Sequence, residues 1–170
     1  EINNKRTKYT REDLLFLPLG GSGEIGMNCN LYHFNGKWLL IDLGVTFNDS
    51  NFPNADIIFP DIDFILEKKD DLVGLVLTHA HEDHIGAVPY LYEKLNNIQI
   101  FTTPFTASVL KRKFISLKKK PPFIKILKNG NNLKVGPFEL EIFTLTHSIP
   151  EPNAVLIKTN KGNIFRTGDW

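Results

Sequence analysis

Cysteine occurs once in these 170 residues, at Cys29, so no intrachain disulfide can form and nothing points to a secreted, disulfide-stapled scaffold. Cys29 itself reads as a small buried apolar side chain within a strand. Long apolar runs are also missing: none approaches the roughly 20 residues that a membrane-crossing helix needs. The polar start, Glu1–Arg11, lacks the features of a signal peptide. These absences place the chain in the cytoplasm, with no membrane partner. There is no internal repeat and no low-complexity tract. Acidic residues are absent from Lys94 to Phe138, a stretch that holds ten basic side chains. The remainder carries ten cations against nineteen acids, a net −9 that the overall charge of +1 conceals. Such segregation builds either a positive face that attracts phosphate backbones or the solvated surface of a lysine-rich protein.

What is present is globular. Apolar residues make up 42% of the chain and thirteen phenylalanines supply a core, enough for one domain. Residues 1–11 form a polar N-terminal arm and residues 12–170 the domain. Leu14–Gly20 reads as a strand closed by the Gly20-Gly21-Ser22-Gly23 turn. Asn28–Phe34 and Lys37–Leu43 form a hairpin through Asn35-Gly36, the strongest short hairpin signal. Trp38-Leu39-Leu40-Ile41 is apolar throughout, as in a strand covered on both faces. An irregular stretch follows to about Pro60, then a short helix over Asp61–Lys69 with Ile62, Ile65 and Leu66 on one face. Leu72–Leu77 is a buried strand. After His84 the pattern gives a turn and a helix to about Leu95, with Pro89 in its first turn. Ile98–Thr102 and Phe123–Leu127 are strands around a basic amphipathic helix, Phe105–Lys119. The strands Phe138–Thr146, Ala154–Thr159 and Asn163–Thr167 follow, the last two joined by Asn160-Lys161-Gly162. The sum is an α+β fold of sheet layers covered by helices.

The chemistry concentrates in His79-Ala80-His81-Glu82-Asp83-His84, which sets three imidazoles and two carboxylates in six residues directly after a buried strand. A strand ending this way delivers its side chains to the sheet edge, where a loop can fold them around an ion. In extended backbone, residues two apart point the same way, so His79 and His81 can share one metal. Asp83 and His84, past the bend, can turn toward a second. Zinc accepts imidazole nitrogen and carboxylate oxygen at about 2.0–2.2 Å, and this mixture suits it.

The segment Thr78–His84 resembles the signature of the metallo-β-lactamase superfamily. In that family an Asp at the end of an earlier strand, a later lone His and a later Asp accompany the motif. Asp42, His147 and Asp169 stand at those positions, each at the end of an expected strand. Leu19–Asn28 (with Gly23-Glu24-Ile25-Gly26), Phe59-Pro60-Asp61, His84–Leu91 and Thr146–Pro152 are similar to the ribonuclease J group, β-CASP nucleases of that superfamily. The likeness runs through nearly all of residues 14–170.

The resemblance implies the N-terminal part of an αββα sandwich and a metal-dependent ribonuclease that hydrolyses RNA phosphodiesters. It implies two zinc ions, with Mn2+ or Mg2+ as substitutes. His79, His81 and His147 would bind the first metal, Asp83 and His84 the second, and Asp169 would bridge the two. Asp83 and His84 would thereby place an activated hydroxide for attack on phosphorus. Asp42 would orient the histidine loop rather than ligate. Glu82 faces solvent or bonds locally, without a catalytic role, and His33 is structural. RNA is the expected partner, and Lys111-Arg112-Lys113 with Lys118-Lys119-Lys120 either steer it or lie on the far face. Family members add a further metal-binding His, a β-CASP insert and a leaving-group acid downstream. Residues 1–170 alone are therefore expected to bind metal weakly, to cut RNA poorly or not at all, and to dimerise or exchange strands, whereas the full-length protein forms a homo-oligomer. Competing readings are a thioesterase- or lactamase-type hydrolase of the same fold, a DNA-directed nuclease, and a non-catalytic RNA-binding scaffold.

Overall fold

Alternation along one strand sets the layering. In the computed structural model, which describes residues 8–23, 26–47, 56–145 and 150–168, the strand Lys37–Ile41 turns Trp38 and Leu40 toward one core and Leu39 and Ile41 toward another. A strand with apolar residues on both faces must be covered on both. Helices cover the first face and a second sheet covers the other.

The first sheet has the order β1 (Leu15–Gly20), β2 (Cys29–Phe34), β3 (Lys37–Ile41), β4 (Leu72–Val76), β5 (Ile100–Thr102), β6 (Ile124–Ile126). Its first three strands are antiparallel, and from β3 to β6 the pairing is parallel. The second sheet is antiparallel, with β7 (Asn132–Val135), β8 (Phe138–Thr144), β9 (Asn153–Thr159) and β10 (Gly162–Arg166) as consecutive neighbours. Four α-helices are present among the described residues, α1 (Asp63–Glu67), α2 (Glu82–Ile85), α3 (Val88–Leu91) and α4 (Pro104–Ser116), with short 3-10 turns at Lys69–Asp71 and Tyr92–Leu95.

Between the sheets, Tyr32, Leu39, Ile41, Val76, Phe138 and Ile157 interlock. Beneath the helices, Leu40, Leu75, Ile85, Leu110 and Phe114 form the other core. This is the helix–sheet–sheet part of the expected sandwich. No described helix is long and apolar enough to cross a membrane.

The hairpin signal holds: Asn35 and Gly36 both take positive φ, 49° and 75°, as the turn between β2 and β3 requires. Cys29 is wholly buried, and desolvation pushes its thiol up to about 12, which suits a packing role. His33 is structural as expected: its Nδ1 bonds to the Asp13 carbonyl at 2.8 Å and its ring meets Tyr9 and Trp38.

Three elements differ from the expectation. The helix placed after His84 begins before it, at Glu82, because the His81 carbonyl already accepts from the backbone N–H groups of His84 and Ile85. Asp83 and His84 therefore lie in a first helical turn rather than on a bend. The basic helix stops at Ser116 instead of Lys119, where Lys118 takes φ +56° and Lys119 N–H closes back onto the Phe114 carbonyl. The edge strand β7 goes unnoticed in the sequence, since Leu133 and Val135 alone carry its alternation.

Candidate metal centre

β3 and β4 lie side by side and parallel, so both end at one rim of the first sheet. Asp42 leaves β3 there with φ +62°, a conformation that side-chain-bearing residues rarely adopt. Its carboxylate is fully buried and gathers donors from the end of β4: the Thr78 backbone N–H at 2.9 Å and the Thr78 hydroxyl at 2.9 Å. His84 Nδ1, also fully buried, completes the group at 2.8 Å from Asp42 Oδ2. A carboxylate can only accept here, so the Nδ1 position of His84 carries the proton. Its Nε2 then presents a lone pair, which faces Asp83 Oδ2 at 3.6 Å.

The other two histidines stand beside this group. His79 is buried, its Nδ1 lies 3.1 Å from the Thr78 hydroxyl, and its ring sits 4.0 Å from that of His84. His79 Nε2 and His81 Nδ1 face each other at 3.0 Å. The cluster thus draws together His79, His81, Asp83, His84 and Asp42. His147 and Asp169 lie outside the described residues, as does Glu24. Among the described residues, no group of three or more His, Cys, Asp or Glu side chains is arranged to hold a metal ion.

Glu82 faces solvent in part, as expected, with its side chain 43% exposed, but it also makes a long-range pair that the sequence does not announce. Its carboxylate pairs with Lys113 of α4, 31 residues away, which pins α4 against the helix that carries Asp83 and His84. Lys119 reinforces this by donating to the Pro89 carbonyl at 2.9 Å. Phe47, Tyr90, Glu82 and Lys113 line a groove of about 290 Å3 at this junction.

Three residues at the rim receive no role in the sequence reading. Asn28 is buried and its amide Nδ2 lies 3.1 Å from His84 Nε2 and 3.5 Å from Asp83 Oδ2. Arg166 donates from Nη2 to Asn28 Oδ1 at 3.2 Å. Asn153, at the start of β9, donates to the Thr78 carbonyl at 2.9 Å and the Glu151 carbonyl at 2.6 Å. The second sheet is thereby tied to the residue preceding His79. Glu151 in turn accepts the Phe105 N–H at the start of α4, 2.9 Å away, where a carboxylate is favoured. These bonds join residues far apart in the chain. The one available signal, the Asn at the end of Leu19–Asn28, carries no local pattern that assigns it a partner.

A family model described as the metallo-beta-lactamase superfamily matches residues 23–154. The chain is 45% identical over 165 residues to a protein named Ribonuclease J from Sinorhizobium meliloti, covering 94% of this chain and 29% of that protein. Against Ribonuclease J from Mycobacterium tuberculosis the identity is 38% over 160 residues, again 94% of this chain and 28% of the relative. The chain therefore spans less than a third of the length of these relatives. Among solved structures, the metallo-beta-lactamase fold protein YhfI from Bacillus subtilis superposes with a TM-score of 0.64 at 18% identity, over 93% of this chain and 63% of that one. That likeness concerns the fold alone.

Proposed function

The chain belongs to the metallo-β-lactamase superfamily, and on that premise we propose that its activity is hydrolysis of RNA phosphodiester bonds with a pair of divalent cations, zinc by the chemistry of its donors. The observation that carries the proposal is the Asp42–His84–Asp83 alignment. A histidine that gives one ring N–H to a buried carboxylate and turns its other nitrogen toward a second carboxylate has the arrangement of a metal ligand. The donors gathered at this rim, three imidazoles and a carboxylate, are of the types that zinc accepts, although the described ones alone form no complete ligand set. His79 and His81, with His147, would hold one ion. Asp83 and His84 would hold the other, with Asp169 between the two. When bound, such a pair lowers the pKa of a water and neutralises charge on the phosphoryl oxygens.

The chain's own residues prepare the site. Asp42 fixes the His84 tautomer and, through Thr78, the end of β4 from which His79 projects. Asn153 holds the same strand end from the other sheet. The choice of RNA rests on the 38–45% identity to proteins named Ribonuclease J over nearly all of this chain. Lys113 of the acid-free, basic stretch pairs with Glu82, next in sequence to the candidate ligands His81 and Asp83.

The test uses the full-length protein on 5′-monophosphorylated RNA, with and without a chelator, beside Asp83→Ala. Chelation and the substitution are each expected to lower cleavage at least about 100-fold. Equal cleavage in all three would dispose of the proposal.

A further inference from the structure

Of the ten basic residues in the acid-free stretch from Lys94 to Phe138, the fold engages two internally. Lys113 pairs with Glu82, and Lys119 donates to the Pro89 carbonyl. The other eight are exposed, and none has an acidic partner among the described residues. By contrast, Lys37 lies 2.7 Å from Asp71, Lys158 2.7 Å from Glu141 and Lys161 3.9 Å from Glu12. The positive charge of the stretch is left without a counter-charge.

Five of these cations follow one another along one piece of surface. Lys111 and Arg112 are exposed on α4. Lys118 and Lys120 follow in the turn that ends the helix, which is fixed by the φ of +56° at Lys118 and the bond from Lys119 N–H to the Phe114 carbonyl. Lys125 lies on β6, the outermost strand of the first sheet. Between Lys120 and Lys125 stands Phe123, 78% exposed, more than any other large apolar residue described. Gln99 holds its backbone by donating to the Phe123 carbonyl at 3.4 Å. Phe123, Lys120 and Tyr92 border a groove of about 350 Å3, in which Glu93 is the single carboxylate among the described lining residues.

A lone exposed phenylalanine is ordinary. One set between unpaired cations on a fixed turn combines what single-stranded nucleic acid uses: charge for its phosphates and an aromatic face on which a base stacks. An acidic peptide would satisfy the lysines and leave the ring in water. The surface also stands apart from the candidate metal centre. β4, β5 and β6 are parallel, with Leu75, Ile100 and Ile124 in register, so Phe123 is level with Gly74. Thr78 is therefore about 13 Å further along the strands and about 10 Å across them.

We propose that Phe123, with Lys118, Lys120 and Lys125, forms a surface that binds single-stranded RNA several nucleotides away from the bond that is cut. This rests on the reading of the chain as part of a ribonuclease. Phe123 stacks a base and the three lysines hold phosphates, so the surface contributes to capture of long RNA and takes no part in the chemical step.

The experiment uses the full-length protein and a fluorescent single-stranded RNA, long enough to reach both surfaces and backbone-modified to resist cleavage. The variants are Phe123→Ala, Phe123→Leu, Phe123→Trp and the triple Lys118→Gln/Lys120→Gln/Lys125→Gln, with Lys37→Gln as a control elsewhere on the first sheet. All these side chains are exposed or at the surface, so no variant removes core packing. Phe123→Ala and Phe123→Leu are expected to weaken binding about 5–100-fold, and Phe123→Trp to retain it. The triple variant should bind about 10-fold or more weakly, with the slope of log affinity against log salt reduced by about 2. Lys37→Gln should change neither. With cleavable RNA, the weakened variants should raise KM for the long strand and leave kcat and dinucleotide cleavage unchanged. Wild-type affinity in the triple variant or in Phe123→Ala would overturn the proposal. A polyglutamate peptide bound through these residues, with RNA binding indifferent to them, would assign the surface to an acidic protein instead. Wild-type protein that binds RNA here but leaves it uncut would sink the ribonuclease reading alone. Protein that cuts RNA with an affinity untouched by every variant would sink this surface alone.

Discussion

Asp42→Ala is expected to destabilise the fold by roughly 3 kcal/mol or more and to weaken metal binding by about 10–100-fold. The carboxylate is fully buried and satisfies three donors: the Thr78 N–H, the Thr78 hydroxyl and His84 Nδ1. Alanine removes this acceptor from all three in a dry environment, at about 1–3 kcal/mol for each buried group that finds no replacement. It also releases the His84 ring, so Nε2 need no longer face Asp83. Asp42→Asn separates the two effects. Its amide oxygen still accepts, but its NH2 must face one of the donors, so some fold stability returns while metal affinity stays low. Denaturant unfolding with zinc titration reads both. An Asp42→Ala protein within about 1 kcal/mol of wild type would mean that the buried carboxylate does not organise this rim.

Gly44→Ala is the second change with a large expected effect, and its reason is steric. A Cβ built on Gly44 would lie 1.7 Å from the Asp83 carbonyl oxygen and 2.6 Å from the His84 nitrogen. Both are backbone atoms at the start of α2, so no rotamer relieves the contact. The chain must move exactly where two candidate ligands are fixed. The expected cost is roughly 3 kcal/mol or more, with loss of metal-dependent activity. Gly130→Ala is the natural comparison. No atom lies within 4 Å of its built Cβ, and only the φ of +73° opposes the substitution, at about 1 kcal/mol. Thermal unfolding of the two variants tests this, and a Gly44→Ala protein as stable as Gly130→Ala would show that α2 can slide away.

These effects mark the boundary of what the sequence discloses. The unbroken apolar run Trp38–Ile41 announces a strand buried on both faces, and the structure splits those residues between the two cores. The crowding of His79, His81, Asp83 and His84 after a buried strand is equally plain, because neighbours in sequence are neighbours at the end of a strand. Asp42 could be read only by its resemblance. Its position follows from the parallel pairing of β3 with β4, a contact across 36 residues. Asn28, Asn153 and Arg166 could not be read at all. Each reaches the rim through hydrogen bonds to residues 55 or more positions away, and nothing in the local pattern distinguishes such an Asn or Arg from a surface residue. The start of α2 shows the same limit on a smaller scale. Two polar residues that would suit a loop become helical once the His81 carbonyl caps their turn from behind.

Zinc content per chain bears most directly on whether this rim cages a pair of cations. Full-length wild-type protein, desalted after loading and analysed by elemental mass spectrometry, is expected to retain two zinc ions, and the His79→Ala/His81→Ala double variant one. A folded double variant that still holds both ions, or a wild type that holds none, would contradict it.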